Sequence, residues 1–148
     1  MSGSHQIVCT TCGGVNRVPD DRPAGSARCG KCRTPLFASK PVDADADMFK
    51  RQTQRGDIPV LVDVWAPWCG PCRMMSPAFE AAAATLEPGI RLLKLNSDSE
   101  NELAGRLGIR SIPTMLLFAD GQEVARVSGA MTAQQIVNWA RDQLRSRA

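Results

Sequence analysis

The sequence predicts an α/β domain with a central mixed sheet flanked by helices, preceded by a small cysteine-rich module. Three observations carry that prediction. Val60-Leu61-Val62-Asp63-Val64-Trp65 is an almost continuous apolar, β-branched run, the signature of a strand buried on both faces. It leads through Ala66-Pro67-Trp68 into Cys69-Gly70-Pro71-Cys72, after which the chain reads as helix to Leu86. Far upstream, Cys9-Thr10-Thr11-Cys12 and Cys29-Gly30-Lys31-Cys32 form two more C-x-x-C pairs, sixteen residues apart.

Taken in order, residues 1–38 form the first module. The spacing C-x2-C-x16-C-x2-C lies within that of a four-cysteine zinc site. Cys9, Cys12, Cys29 and Cys32 are the candidate ligands of one structural Zn²⁺, each thiolate at ~2.3 Å. Gly13 and Gly30 stand where tight metal-binding turns use glycine. Arg17 to Pro23 offers almost nothing to bury, so bound metal must supply the stability that a core does not. A redox-sensing thiol cluster and a pair of disulfides are the alternatives. His5 reads as a solvated terminal histidine. If the module lay over the substrate groove, oxidants that release the zinc would alter activity. Each part has its own source of stability, so a chelator should unfold the module alone.

Residues 39–148 form the second domain. Ala38 to Ala46 reads as a linker merging into an edge strand, and Asp47 to Arg55 as a short helix stopped by Gly56 at its C′ position. After the buried strand, Met75, Phe79, Ala82, Ala83 and Leu86 make one apolar helical stripe. Pro77 lies inside that helix and Pro88-Gly89 ends it. Ile90 to Asn96 is the next strand, completing a βαβ unit. Ser99-Glu100-Asn101-Glu102 has the form of a capping box for a helix ending at Gly108. Thr114 to Phe118 and Glu123 to Ser128 flank Asp120-Gly121, a type I′ hairpin signal. Thr132 to Gln135 is a second capping box, with Met131 and Ile136 as a staple, and Ile136, Trp139, Ala140 and Leu144 give the last helix its apolar face.

The chemistry centres on Cys69 and Cys72. A helix start favours a thiolate at Cys69, and Pro71 suits the first turn because its missing N–H costs nothing there. Two cysteines so spaced can close a disulfide with little movement, which implies thiol–disulfide exchange with Cys69 as nucleophile and Cys72 as resolving thiol. A metal half-site is the bland alternative, but no further pair is left to complete it. Asp63 is the odd residue in its apolar strand; buried without a strong partner, its pKa should rise.

Trp-Cys-Gly-Pro-Cys after a hydrophobic strand resembles the thioredoxin family. Asp63 matches the family's buried acid, and Lys94 falls where the family places a lysine beside it. Ser111-Ile112-Pro113-Thr114 is similar to the cis-proline loop, and Gly129-Ala130 to the last groove segment. The resemblance runs from about Lys40 to the C-terminus, and the residues before it resemble the zinc-binding extension of bacterial thioredoxin 2. It implies a thioredoxin fold and a protein-disulfide reductase. Cys69, Cys72, Asp63, Lys94 and Pro113 would then do the chemistry, and Trp68, Ser111, Ile112, Gly129 and Ala130 would line the substrate groove. Ser97 and Ser111 stand where a bulkier apolar residue and a glycine are familiar, so substrate preference should differ. A thioredoxin reductase would supply electrons. A zinc-ribbon adaptor or chaperone using the fold as a platform is the rival reading; an adaptor needs neither active-site thiol.

The totals narrow the setting. The 148 residues carry a net charge of +3, and 43% are apolar. The excess charge sits in residues 1–38, where Arg17, Arg22, Arg28, Lys31 and Arg33 face Asp20 and Asp21; residues 39–148 balance. Four zinc-bound thiolates would lower the module to about +1, which argues against a nucleic-acid surface. No apolar run approaches the ~20 residues of a membrane span, and the first residues lack a secretory pattern. Six cysteines without an export signal point to a reducing compartment, so a cytoplasmic monomer is expected.

Overall fold

The computed structural model describes residues 3–147. The elements in chain order are β1 (Ser4–Val8), β2 (Val15–Pro19), β3 (Val42–Asp43), α1 (Ala46–Arg55), β4 (Val60–Trp65), α2 (Gly70–Leu86), β5 (Arg91–Asn96), α3 (Asn101–Arg106), β6 (Thr114–Ala119), β7 (Gln122–Ser128) and α4 (Ala133–Arg145). β1 and β2 form an antiparallel hairpin. The other strands make one mixed sheet in the order β3-β5-β4-β6-β7, with β3, β5 and β4 parallel and β6 and β7 antiparallel.

Strand alternation sorts the core into two layers. Leu61, Leu92, Met115 and Leu117 pack under α2 and α4 with Met75, Phe79, Leu86 and Ile136. Val60, Val62, Val64, Leu93, Leu95 and Leu116 pack on the opposite face with Phe49 of α1 and Leu103 of α3. Asp63 and Lys94 are register partners on neighbouring parallel strands, two residues on from Leu61 and Leu92, so both belong to the α2 face. Trp139 and Leu144 are half-buried at the edge of this layer, and Ile136 and Ala140 lie inside it.

Local chemistry shapes the ends of these elements. Thr132 and Gln135 make the reciprocal capping box of α4, and Asp120 and Gly121 both take positive φ (54° and 77°) in the β6–β7 turn. Three expectations are corrected. Ser99 does not cap α3: its N-cap is Glu100, whose carboxylate instead accepts the Ala46 N–H at 2.7 Å, across at the start of α1. Gly56 is extended (φ −88°, ψ 151°) rather than left-handed; it is small because a Cβ there would lie 3.0 Å from the Gln52 carbonyl oxygen. Gly13 is left-handed (φ 76°), but in the second cysteine turn the matching residue after the pair is Arg33 (φ 69°), not Gly30.

The hairpin module docks where β4 and β5 begin. Asp57, just before β4, exchanges backbone and side-chain hydrogen bonds with Gln6 (2.8 and 2.6 Å). Arg91, the first residue of β5, is fully buried and donates to the carbonyls of Leu36 (2.9 Å) and Val8 (3.1 Å) and to Gln52 Oε1 (3.2 Å). Its guanidinium also lies 4.1 Å over the Phe37 ring. The C-x-x-C turn of residues 69–72 follows the other end of β4, a six-residue strand away, or about 20 Å. The module therefore does not cover the substrate groove; it is anchored at the opposite end of the sheet.

Candidate active site and metal centre

Buried β4 ends at Trp65, and the chain turns through Ala66 to place Cys69 as the N-cap of α2, with Pro71 in the first turn. Cys69 Sγ accepts the Cys72 N–H at 3.2 Å, so the sulfur sits among the unpaired donors of a helix start. Cys69 and Cys72 are joined as a disulfide, with Cα atoms 5.2 Å apart. Both are almost buried, against Ala66, Trp65 and Ile112.

Asp63 is 1% exposed, and neither carboxylate oxygen has a hydrogen-bond partner. Burial pushes its pKa up to about 7, against the opposing pull of Lys94. Lys94 is half-buried, donates to Ser76 Oγ of α2 at 3.2 Å and lies 4.5 Å over the Trp65 ring. Ser76 holds the lysine from α2.

The loop before β6 faces Cys69. The Ile112–Pro113 peptide is cis, Cys69 Sγ lies 3.8 Å from the Ile112 carbonyl oxygen, and Gly129 N–H donates to the Pro113 carbonyl at 2.9 Å. Gly129 has φ 103°, which only glycine adopts without strain, and nothing lies within 4 Å of where its Cβ would be. Ser111, Gly129 and Ala130 are exposed and Ile112 half-buried, so the loop presents an accessible edge. Trp68 is 69% exposed, with Nε1 donating to Asp98 Oδ1 at 3.2 Å, and Met74 is 80% exposed. The Ser97 hydroxyl does not face outward but donates to the Trp65 carbonyl at 3.1 Å. Nothing in the sequence marks Asp98 or Ser76, because a lone surface acid and a helix serine carry no local signal.

In the module, Sγ atoms of Cys9, Cys12, Cys29 and Cys32 all lie within 4.8 Å of one another, with Cys9–Cys32 and Cys12–Cys29 at 3.6 Å. A tetrahedral Zn²⁺ with ~2.3 Å bonds needs sulfur separations of about 3.8 Å, so this all-thiol set fits that ion. Donors around Cys9 and Cys29 favour thiolates at those two positions. Thr11 N–H reaches Cys9 Sγ at 3.3 Å, and Lys31 N–H and the Asn16 amide reach Cys29 Sγ at 3.4 and 3.5 Å. The Cys32 backbone N–H and then the Asn16 amide push the Cys29 thiol down to about 6. Asn16 also accepts the Gly30 N–H at 2.8 Å, tying the hairpin to the second cysteine turn. His5 is exposed and pairs with Asp20 at 2.6 Å, away from the sulfurs' contacts.

A strand, a disulfide turn at a helix start and a facing cis-proline loop define a thioredoxin-type redox site. The Thioredoxin family model matches residues 40–142, and a second family model, Thioredoxin 2, N-terminal, matches residues 8–34. Thioredoxin C-3 of Corynebacterium nephridii is 38% identical over 141 residues, covering 95% of this chain and 97% of that protein. A thioredoxin of Porphyra purpurea is 49% identical over 83 residues, covering 56% and 78%. Among solved structures, the thioredoxin of Malassezia sympodialis superposes with a TM-score of 0.66 at 31% identity, covering 72% of this chain and 93% of that one. The chain belongs to the thioredoxin family, with the zinc-ribbon extension of the thioredoxin 2 branch, and is a thiol–disulfide oxidoreductase that reduces protein disulfides. No helix among the described residues is long and apolar enough to cross a membrane.

Proposed function

We propose that residues 39–148 reduce protein disulfides through Cys69 and Cys72, and that residues 1–38 are a zinc-stabilised module. The observation that carries the first part is the placement of Cys69 Sγ at the α2 N-terminus, facing the Ile112–Pro113 edge. In the reduced form, the Cys69 thiolate attacks one sulfur of a substrate disulfide held along Ile112, Gly129 and Ala130 beside Trp68. The substrate S–S bond breaks, a mixed disulfide forms, and the first substrate sulfur leaves as a thiolate and takes a proton from solvent. Cys72 then gives its proton to Asp63, directly or through a water, and attacks Cys69 Sγ. The second substrate thiol departs, and two electrons have passed from the dithiol to the substrate. Lys94, steadied by Ser76, moderates the acidity of Asp63. Two electrons from a thioredoxin reductase restore the dithiol.

Zinc, when bound, supplies cross-linking rather than a reaction centre, because Cys9, Cys12, Cys29 and Cys32 fill all four positions. A monomer in a reducing, cytoplasmic setting fits this chemistry. The test is insulin-disulfide reduction together with trapping. Cys69→Ser should abolish turnover, whereas Cys72→Ser should accumulate mixed disulfides at Cys69. Undiminished turnover in Cys69→Ser would overturn the mechanism.

A further inference from the structure

Two hollows open side by side on the N-terminal module and share Val18, Pro19 and Arg22 in their walls. The first, about 410 Å³, lies between the hairpin and the Asp57–Pro59 approach to β4. Its apolar lining is aliphatic, including Ile7, Ala24 and Ile58, with no aromatic carbocycle. The second, about 510 Å³, is lined by Arg17, Arg22 and Arg28 and by no acidic residue. The acids near the first hollow are already engaged, Asp20 with His5 and Asp57 with the Gln6 N–H, each at 2.6 Å. The arginines are not. The side chains of Arg17 and Arg22 have no ion pair or hydrogen bond with any described residue, and Arg28 only donates to the Arg33 carbonyl at 3.1 Å.

We propose that this double hollow docks an extended acidic segment of a partner polypeptide, with an aliphatic side chain in the first hollow and carboxylates across the three arginines. Guanidinium forks pair with carboxylates through two parallel hydrogen bonds, which suits a peptide laid along Arg17, Arg22 and Arg28. A nucleic acid fits less well. Three cations neutralise few phosphates, and no Phe, Tyr or Trp lines either hollow to stack a base. The surface lies at the opposite end of the sheet from Cys69, so an occupant leaves the redox groove open. Docking itself does not depend on the redox reading. Given that reading, a substrate carrying such a segment would be held beside the enzyme at raised effective concentration.

The test is fluorescence anisotropy of the full chain titrated with a short Glu-rich peptide that carries one leucine. Saturable binding is expected, weakened about tenfold or more by Arg17→Glu with Arg22→Glu, and weakened also when the leucine of the peptide is replaced by serine. Arg17→Gln with Arg22→Gln serves the same purpose should the reversals disturb the module, which zinc content reports. Insulin reduction should be unchanged in these variants, which separates failure of docking from failure of the redox mechanism. The proposal is overturned by absence of saturable binding, by equal binding of a Lys-rich peptide, by indifference to the arginine substitutions, or by single-stranded RNA that displaces the peptide and binds more tightly.

Discussion

Asp63 and Arg33 show how single residues carry cost for different reasons. The Asp63 carboxyl is buried and unpartnered, so its pKa is raised from 3.8 to about 7. Between those values the folded chain holds a proton that the unfolded chain has released. Stability contributed by the protonated acid is therefore complete below about pH 4, falls as pH rises toward 7, and stays low above it. Asp63→Asn should leave stability unchanged near pH 3 and raise it at pH 8 by an amount of order 4 kcal/mol, read from urea denaturation at the two pH values. The same substitution should slow mixed-disulfide release by about a hundredfold above pH 7, where the wild-type base is ionised, and should remove the inflection near 7 from the rate profile. Stopped-flow rates that retain that inflection would remove Asp63 from the mechanism. Arg33 pays for its left-handed backbone (φ 69°) without a side-chain role that requires it there. Arg33→Gly should stabilise the second cysteine turn by about 0.5–1 kcal/mol, seen as slower zinc loss to a chelator.

At the scale of elements, the legible parts were those set by periodicity and local chemistry. The buried run of β4, the Met75–Phe79–Leu86 stripe of α2 and the Thr132 capping box all follow from spacing along one segment. The parts that were not legible depend on partners distant in sequence. Glu100 takes the N-cap in place of Ser99 and turns its carboxylate to Ala46, and Arg126 of β7 donates to the Leu107 carbonyl at 2.8 Å beyond α3. The two cysteine turns illustrate both cases. Their spacing announces four ligands, but the backbone need falls one residue after each pair, where the sequence happens to offer glycine once and arginine once. The β1–β2 hairpin draws on Ile7, Val18, Leu36 and Phe37, a modest core that joins the sulfurs themselves. Chelating the zinc should therefore dissolve this hairpin, lowering its amide protection from hydrogen exchange far more than that of β4 and β6. Protection that persists in β1 and β2 after metal removal would show that the aliphatic core suffices.

Across the whole molecule, the expectation of two independent parts meets Arg91. Charged residues inside apolar runs were a readable signal at Asp63, and Ile90-Arg91-Leu92-Leu93 carried the same signal. Its meaning was hidden because every partner lies elsewhere: Val8 and Leu36 in the module, Gln52 on α1, and Glu87 at 3.8 Å after α2. Burial pulls the Arg91 pKa down to about 10, and Glu87 opposes that pull, so the guanidinium stays charged at neutral pH. Removing it would leave the Leu36 carbonyl and the Gln52 amide oxygen without a donor, the Val8 carbonyl with Gln52 alone, and the buried Glu87 carboxyl without its cation. Loss of one partner from such a buried set typically costs about 3–5 kcal/mol. Arg91→Ala should lower stability by that order, and Arg91→Lys should not rescue it, because a single ammonium cannot span both carbonyls and stack on Phe37. The chain itself provides the reporter, since Trp65, Trp68 and Trp139 all lie outside the module. If the parts were independent, stripping zinc would leave the tryptophan-detected urea transition in place. With Arg91 as the fastening, disordering Val8 and Leu36 exposes it, so zinc removal should shift that transition to lower urea in the wild type and much less in Arg91→Ala. Equal shifts in both proteins would mean that the coupling runs through some other contact.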